Sequence, residues 1–264
     1  MTRTSMAARC ARCVLLAAAV LGAACSGVRE HQAGWGSRPP HPTLIGPPHA
    51  KASAAFRATW FDGTAELSGY RVTVPRYGEL RTGELVLTYV TEPMNRTTRI
   101  KDDDAPPEAR VDVLKLNANL TFLAGVYPYS VMTSVFSPID DWGEDSAPRF
   151  APVKITLTAQ EWCGHVFQAV SPGREAFATE IASYFASEGE AARRVSMPRG
   201  TLYEDALLIQ LRELDAPFAG GGDWSGSLVP SLWRLRRAHV APAPAPATVT
   251  RQLADRDGTP VTRF

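Results

Sequence analysis

The stretch GYRVTVPRYGELRTGELVLTYVTEP (69–93) alternates apolar and polar residues on both sides of a glycine-containing connection. A period of two is the signature of a half-buried strand, and it restricts this part of the chain to pleated structure. In an extended run through 64–74, Tyr70, Val72 and Val74 share one face, and Leu85, Leu87 and Tyr89 share one face of 83–93. Two such runs joined by turn residues in PRYGELRTGE (75–84) predict an antiparallel hairpin.

The same pattern returns along the chain. RVDVLKLN (110–117), VYPYSVMTSVFSP (126–138), PVKITLTAQ (152–160), QEWCGHVFQ (160–168), ATEIASYFASEG (178–189), RRVSMP (193–198) and LWRLRRAHV (232–240) all read as strands. Around nine strands with charged or Gly/Pro-rich joints predict a mainly β fold, an antiparallel curved sheet or open β-barrel (half-barrel). One segment departs from the period. TLYEDALLIQLREL (201–214) opens with Thr201 and Glu204 at capping-box spacing, and Leu207, Leu208, Leu211 and Leu214 fall on one helical stripe. It predicts one amphipathic helix covering the sheet.

The N-terminus has a different character. A basic opening is followed by the apolar run Val14–Ala24 and by Cys25. A run this short reads as a secretion signal and is too short for a membrane anchor. LGAAC resembles a bacterial lipoprotein signal, with Cys25 as the lipid-modified first residue, although Leu21 lies four places before the cysteine. Gly22-Ala23-Ala24 would also suit ordinary signal peptidase, which would release a soluble protein. Ser26 at the second mature position points to the outer membrane, facing the periplasm. Residues 1–24 are therefore read as signal, 25–54 as a Pro- and Gly-rich tether, 55–240 as one β-rich domain, and 241–264 as a Pro-rich polar tail.

Removing residues 1–24, with three arginines and no acid, takes the formal charge from +1 to −2. That balance offers nucleic acid no general attraction. Cys10 and Cys13 leave with the signal and Cys25 would be acylated, so Cys163 remains without an intrachain partner.

Chemistry, if present, centres on Glu161, Cys163 and His165 in QEWCGHVFQ. On one continuous strand the three would share a face, while Trp162 and Gly164 would pack on the other. A thiolate beside an imidazole can act as a nucleophile, and the trio could also bind zinc. The backbone spacing of about 6.6 Å between neighbours two apart is loose for proton transfer. A small buried thiol in a strand face is the plainer reading. Arg76 and Arg81 read as hairpin residues, with an anionic headgroup as the alternative use. Arg234 and Arg236, flanked by Trp233, Leu235 and Arg237, read as a solvated strand face or a contact to lipopolysaccharide phosphates. The three aspartates of IKDDDAPPEA (100–109) lack calcium-loop spacing, and no phosphate loop, nucleophile elbow, HExxH or dinucleotide fingerprint occurs.

The segments GYRVTVPRYGELRTGELVLTYVTEP, VLKLN, GVYPYSVMTSVFSP, QEWCG and SYFASEGE, in that order over roughly residues 60–240, resemble a family of uncharacterised bacterial envelope proteins. Some members carry the label "septum formation inhibitor Maf". Maf enzymes are cytoplasmic nucleotide pyrophosphatases with a Ser-Pro-Arg-Arg type stretch near the N-terminus, and the motifs here do not support that label. The strand plan is similar in architecture to the half-barrels of periplasmic lipoprotein carriers of the LolA/LolB type. The expectation is a non-enzymatic envelope lipoprotein without cofactor or metal, holding or transferring an apolar ligand. The alternatives are a scaffold docking an envelope partner, and a hydrolase using Cys163 and His165.

Cys25→Ser is expected to move the protein from the membrane fraction to the soluble fraction, because an acyl chain contributes about 0.8 kcal/mol per buried methylene. A variant that stays in the membrane pellet, with no lipid on the wild-type protein by mass spectrometry, removes the lipoprotein reading.

Overall fold

The computed structural model describes residues 44, 47–143, 149–186, 188, 190–213, 223–232 and 243–263. The signal, Cys25 and most of the tether lie outside the described residues, as do Arg234, Arg236 and the rest of 233–240.

Eight strands run as a meander in sequence order. They are β1 (Glu66–Arg76), β2 (Glu79–Asn95), β3 (Arg110–Ala124), β4 (Tyr127–Pro138), β5 (Lys154–Glu161), β6 (Gly164–Ser171), β7 (Ala176–Ser183) and β8 (Glu190–Ser196). Each pairs antiparallel with the next, and the outer strands β1 and β8 do not pair with each other, so the sheet is open. The first hairpin turns on Tyr77 and Gly78 alone, both at positive φ (54° and 77°), which suits a two-residue primed turn. The strands therefore extend through most of the predicted connection at 75–84.

Register separates the two faces. Leu87, Leu116 and Val135 lie beside one another through the pairs Leu87↔Ala118, Leu116↔Val135 and Val135↔Ile155 and their neighbours. With Leu157, Val170 and Phe177 they form the main buried cluster. The opposite face carries Thr156, Thr158, Asn117 and Asn119, and its buried apolar cluster lies at one end, where Met94, Val111, Val113 and Trp142 pack together. This is the division expected of an antiparallel sheet with one wetted side.

Two short helices help cover the apolar face. In α1 (Ala54–Trp60), Ser53 Oγ accepts from the Phe56 amide at 3.1 Å, a standard N-cap, and Phe56 and Trp60 point into the core. The segment is tied down by Asp140, which accepts from the Ala52 amide at 2.8 Å and from Lys51 Nζ and Arg57 Nη2 at 2.9 Å each. Burial pushes the Asp140 carboxyl up, yet those three donors together hold it below the usual carboxylate range.

The second helix, α2 (Leu207–Glu213), lies within the predicted 201–214 but in a different phase. Thr201 and Glu204 form no capping box. Residues 202–203 form a short strand, β9, paired parallel with β10 (Trp224–Val229). The Thr201 hydroxyl donates to Pro198 O, while Glu204 and Asp205 accept the amides of Ser231 and Leu232 at 3.0 and 2.9 Å. The helical turn thus starts later, and its buried side is Ala206, Ile209 and Gln210, with Leu208 42% exposed. Of the leucine stripe, Leu207 and Leu211 are half-buried, Leu208 is exposed, and Leu214 lies outside the described residues.

In the tail, β11 (Ala245–Val249) pairs with β10, and β12 (Gln252–Arg256) and β13 (Thr259–Arg263) form a hairpin. Pro246 sits on the edge strand of its sheet, where a missing amide is tolerated.

Burial places the stability of this layer on Ile209. Ile209→Asp buries an unpaired charge and is expected to cost about 3–5 kcal/mol in denaturant unfolding. Leu208→Asp is expected to change stability by less than about 1 kcal/mol. The reverse ranking would show that the leucine stripe is the packed face.

Candidate functional site

The stretch that carries the candidate chemistry is a hairpin. β5 ends at Glu161, β6 begins at Gly164, and Trp162 and Cys163 form the two-residue turn between them. Glu161 pairs with Gly164, and Gln160 pairs with His165. The chain reverses between Glu161 and His165, so the expected common face of Glu161, Cys163 and His165 does not exist. Glu161 is buried on the apolar side, Cys163 is exposed at the turn, and His165 lies exposed on the wetted face. No group of three or more His, Cys, Asp or Glu suited to a metal occurs among the described residues. The expected buried thiol is also corrected: Cys163 is free and exposed.

Packing around the turn differs from the predicted Trp162–Gly164 contact. A side chain on Gly164 would run into the Tyr184 ring, whose nearest atom would lie 2.3 Å from the added carbon. Tyr184 therefore covers the bare glycine. Trp162 instead meets Tyr127 edge-on, with ring centroids 5.1 Å apart.

Glu161 belongs to a different constellation. Arg76, at the end of β1, approaches Glu161 Oε1 to 3.6 Å and donates to the hydroxyls of Tyr77 and Tyr129 at 3.2 and 3.3 Å. Its guanidinium lies over both phenol rings, and the two hydroxyls are 2.9 Å apart. Burial pushes the Tyr129 hydroxyl up to about 12, and its bonds with Glu161 and Tyr77 add to the effect. Between a cation and a carboxylate, the Tyr129 phenol keeps its proton at neutral pH. The contact also reports curvature. Strands β1 and β5 are four places apart, about 19 Å in a flat sheet, yet Arg76 and Glu161 meet, so the sheet curls toward its apolar side.

A groove of about 890 Å³, whose lining shares Tyr129 and Glu161 with this cluster, crosses the tips of β1 to β6. Its floor is a row of aligned side chains, Arg71, Glu84, Thr121, Ser130, Gln160 and His165, set by the pairs Arg71↔Glu84, Glu84↔Thr121, Thr121↔Ser130, Ser130↔Gln160 and Gln160↔His165. Leu123 and Trp162 form its rim, both exposed, and exposed Val86 and Met132 lie just beyond the row on the other side. Sequence reading missed this row because its members are polar and alternate with the core residues that define the strands. Of the other predicted hairpin residues, Arg81 bonds its neighbour Glu79 at 2.7 Å and stays local.

Two measurements test this site. Folded Cys163 is expected to react with iodoacetamide about as fast as in the unfolded chain, and His165→Ala should leave the rate unchanged. Glu161→Gln is expected to lower stability by about 2 kcal/mol, since it strips the charge from a buried carboxylate facing the partly buried Arg76. Labelling slowed by both His165→Ala and Glu161→Gln would restore the catalytic trio.

No protein-family model, curated protein or solved structure matches the chain, so its function rests on this geometry.

Proposed function

We propose that this chain is a non-enzymatic lipoprotein of the bacterial cell envelope, tethered through Cys25, whose folded part docks another envelope protein on the outer face of its sheet. One observation carries the choice between docking and apolar-ligand transfer. The apolar face is filled by the chain's own Phe56, Trp60, Phe150, Tyr203, Ile209 and Leu232, each buried in one cluster. That arrangement favours the scaffold over the carrier, because a carrier needs the same face free for its ligand.

The outer groove supplies what a docking surface needs. Exposed Trp162, Leu123 and Met132 stand around a row of hydrogen-bonding side chains. Mixed apolar and polar character, with tryptophan and arginine present, is the composition of non-obligate protein interfaces. The Cys25 reading and the resemblance to envelope proteins support the location. No helix among the described residues is long and apolar enough to cross a membrane.

The test is crosslinking in intact cells from a photoreactive residue placed at Ser130, with the captured protein identified by mass spectrometry. One defined envelope protein is expected, and Trp162→Ala with Met132→Asp should reduce its capture at least tenfold without lowering Tm. Stoichiometric lipid extracted from the purified wild-type protein, with capture unaffected by the two substitutions, would return the apolar carrier to first place.

A further inference from the structure

A second cavity, of about 800 Å³, lies away from the hairpin and has a different electrostatic character. Four arginines distant in sequence line it: Arg99 from the β2–β3 connection, Arg149 from the segment before β5, Arg174 from the β6–β7 connection, and Arg199 from the approach to β9. Asp141 is the carboxylate residue on the wall among the described residues, and its Oδ1 already accepts the Gly143 amide at 2.7 Å. Arg199 also pairs with Glu175, but both side chains are more than half exposed, so solvent screens that pair. Cationic side chains around a low-dielectric cavity focus a positive field into it.

The interior wall adds two recognition elements. Gln210 is 3% exposed, lines the cavity, and its Oε1 has no hydrogen-bond partner. A buried acceptor left this way costs free energy unless a ligand donor reaches it. Tyr203 and Trp224 give apolar surface beside it. Arg99 is almost fully buried, and burial pulls its guanidinium down to about 10, a cost that a bound anion would offset.

We propose that this cavity binds a phosphate monoester carried on a hydroxyl-bearing body, as in a sugar phosphate. The phosphate oxygens meet guanidinium donors, whose planar fork suits them. A ligand hydroxyl donates to Gln210 Oε1, and the carbon skeleton lies against Trp224 and Tyr203. Several hundred Å³ is the ordinary size for such a ligand site. The site is separate from the docking face and does not depend on it.

Isothermal titration of the folded protein with glucose 6-phosphate, inorganic phosphate and glucose tests the assignment. Glucose 6-phosphate is expected to saturate and to bind at least tenfold more tightly than either fragment. Arg174→Gln with Arg199→Gln, both exposed positions, should weaken it at least tenfold with Tm unchanged, while Trp162→Ala leaves it as in the wild type. Affinity should rise as pH passes about 6, where the monoester takes its second charge. Vesicles of phosphatidylcholine with phosphatidic acid separate the sources: sedimentation that needs the same two arginines assigns a lipid-borne monoester, and its absence beside sugar phosphate binding assigns a soluble one. The proposal is overturned if neither glucose 6-phosphate nor the phosphatidic acid vesicles bind, or if binding ignores the arginine substitutions.

Discussion

An open eight-stranded sheet with one apolar face cannot stand alone in water, and the interaction that resolves this is the clamp at Asp140. This carboxylate is 6% exposed and takes donors from Ala52, Lys51 and Arg57, which brings α1 across the sheet so that Phe56 and Trp60 are buried. Removing charge from water is costly, so a buried carboxylate persists only with such partners. Among the described residues no disulfide replaces it, since Cys163 is free and exposed. The covering layer thus depends on one charge cluster and on the phase of a seven-residue helix.

Once that face is covered, the position of any binding surface is constrained. Curling toward the apolar side, reported by the Arg76–Glu161 contact at 3.6 Å, brings the hairpin tips of β1–β2 and β5–β6 together around Tyr77 and Tyr129. The outer side of the same tips then presents the row from Arg71 to His165. Burial of Glu161 and exposure of His165 are two consequences of one turn, which is why these residues cannot act together. Chemistry is left to the outer face and to the loops, where backbone is fixed by strands but side chains are not consumed by the core.

The period-two pattern made the sheet legible: Leu85, Leu87 and Tyr89 do face the core, as do Tyr129, Val131, Thr133 and Val135. Alternation says which residues share a face while a strand lasts, and it is blind to where the strand turns. Trp162-Cys163 lacks the Asn-Gly or Asp-Gly signal of a tight turn, so the turn dipeptide itself does not mark the break. The cue lay in Gly164, whose missing side chain admits Tyr184 from the next connection. The helix phase was hidden for a related reason. Glu204 and Asp205 look like a cap for their own helix, but they serve amides at Ser231 and Leu232, a pairing across more than 25 residues that no window detects.

The arginine cavity was illegible for a stronger reason, because its charge exists only in three dimensions. Arg99, Arg149, Arg174 and Arg199 are spread over a hundred residues of a chain whose formal charge is +1. Arg99 shows how the assembly is held. Its Nη1 donates to Val153 O at 3.2 Å, its Nε donates to Arg96 O at 3.1 Å, and Lys154 Nζ donates to its carbonyl at 3.0 Å. Those bonds fasten the β2–β3 connection to the start of β5, so the guanidinium that charges the cavity also holds its wall in place. Each bond it gives to a backbone carbonyl restricts the directions left for a ligand. A cation fixed this way has lost its rotamer freedom during folding, and a ligand meeting it does not incur that entropy again. Preorganisation of this kind follows from burying a charge beside backbone carbonyls, and it ties the stability of the loop to the field in the cavity.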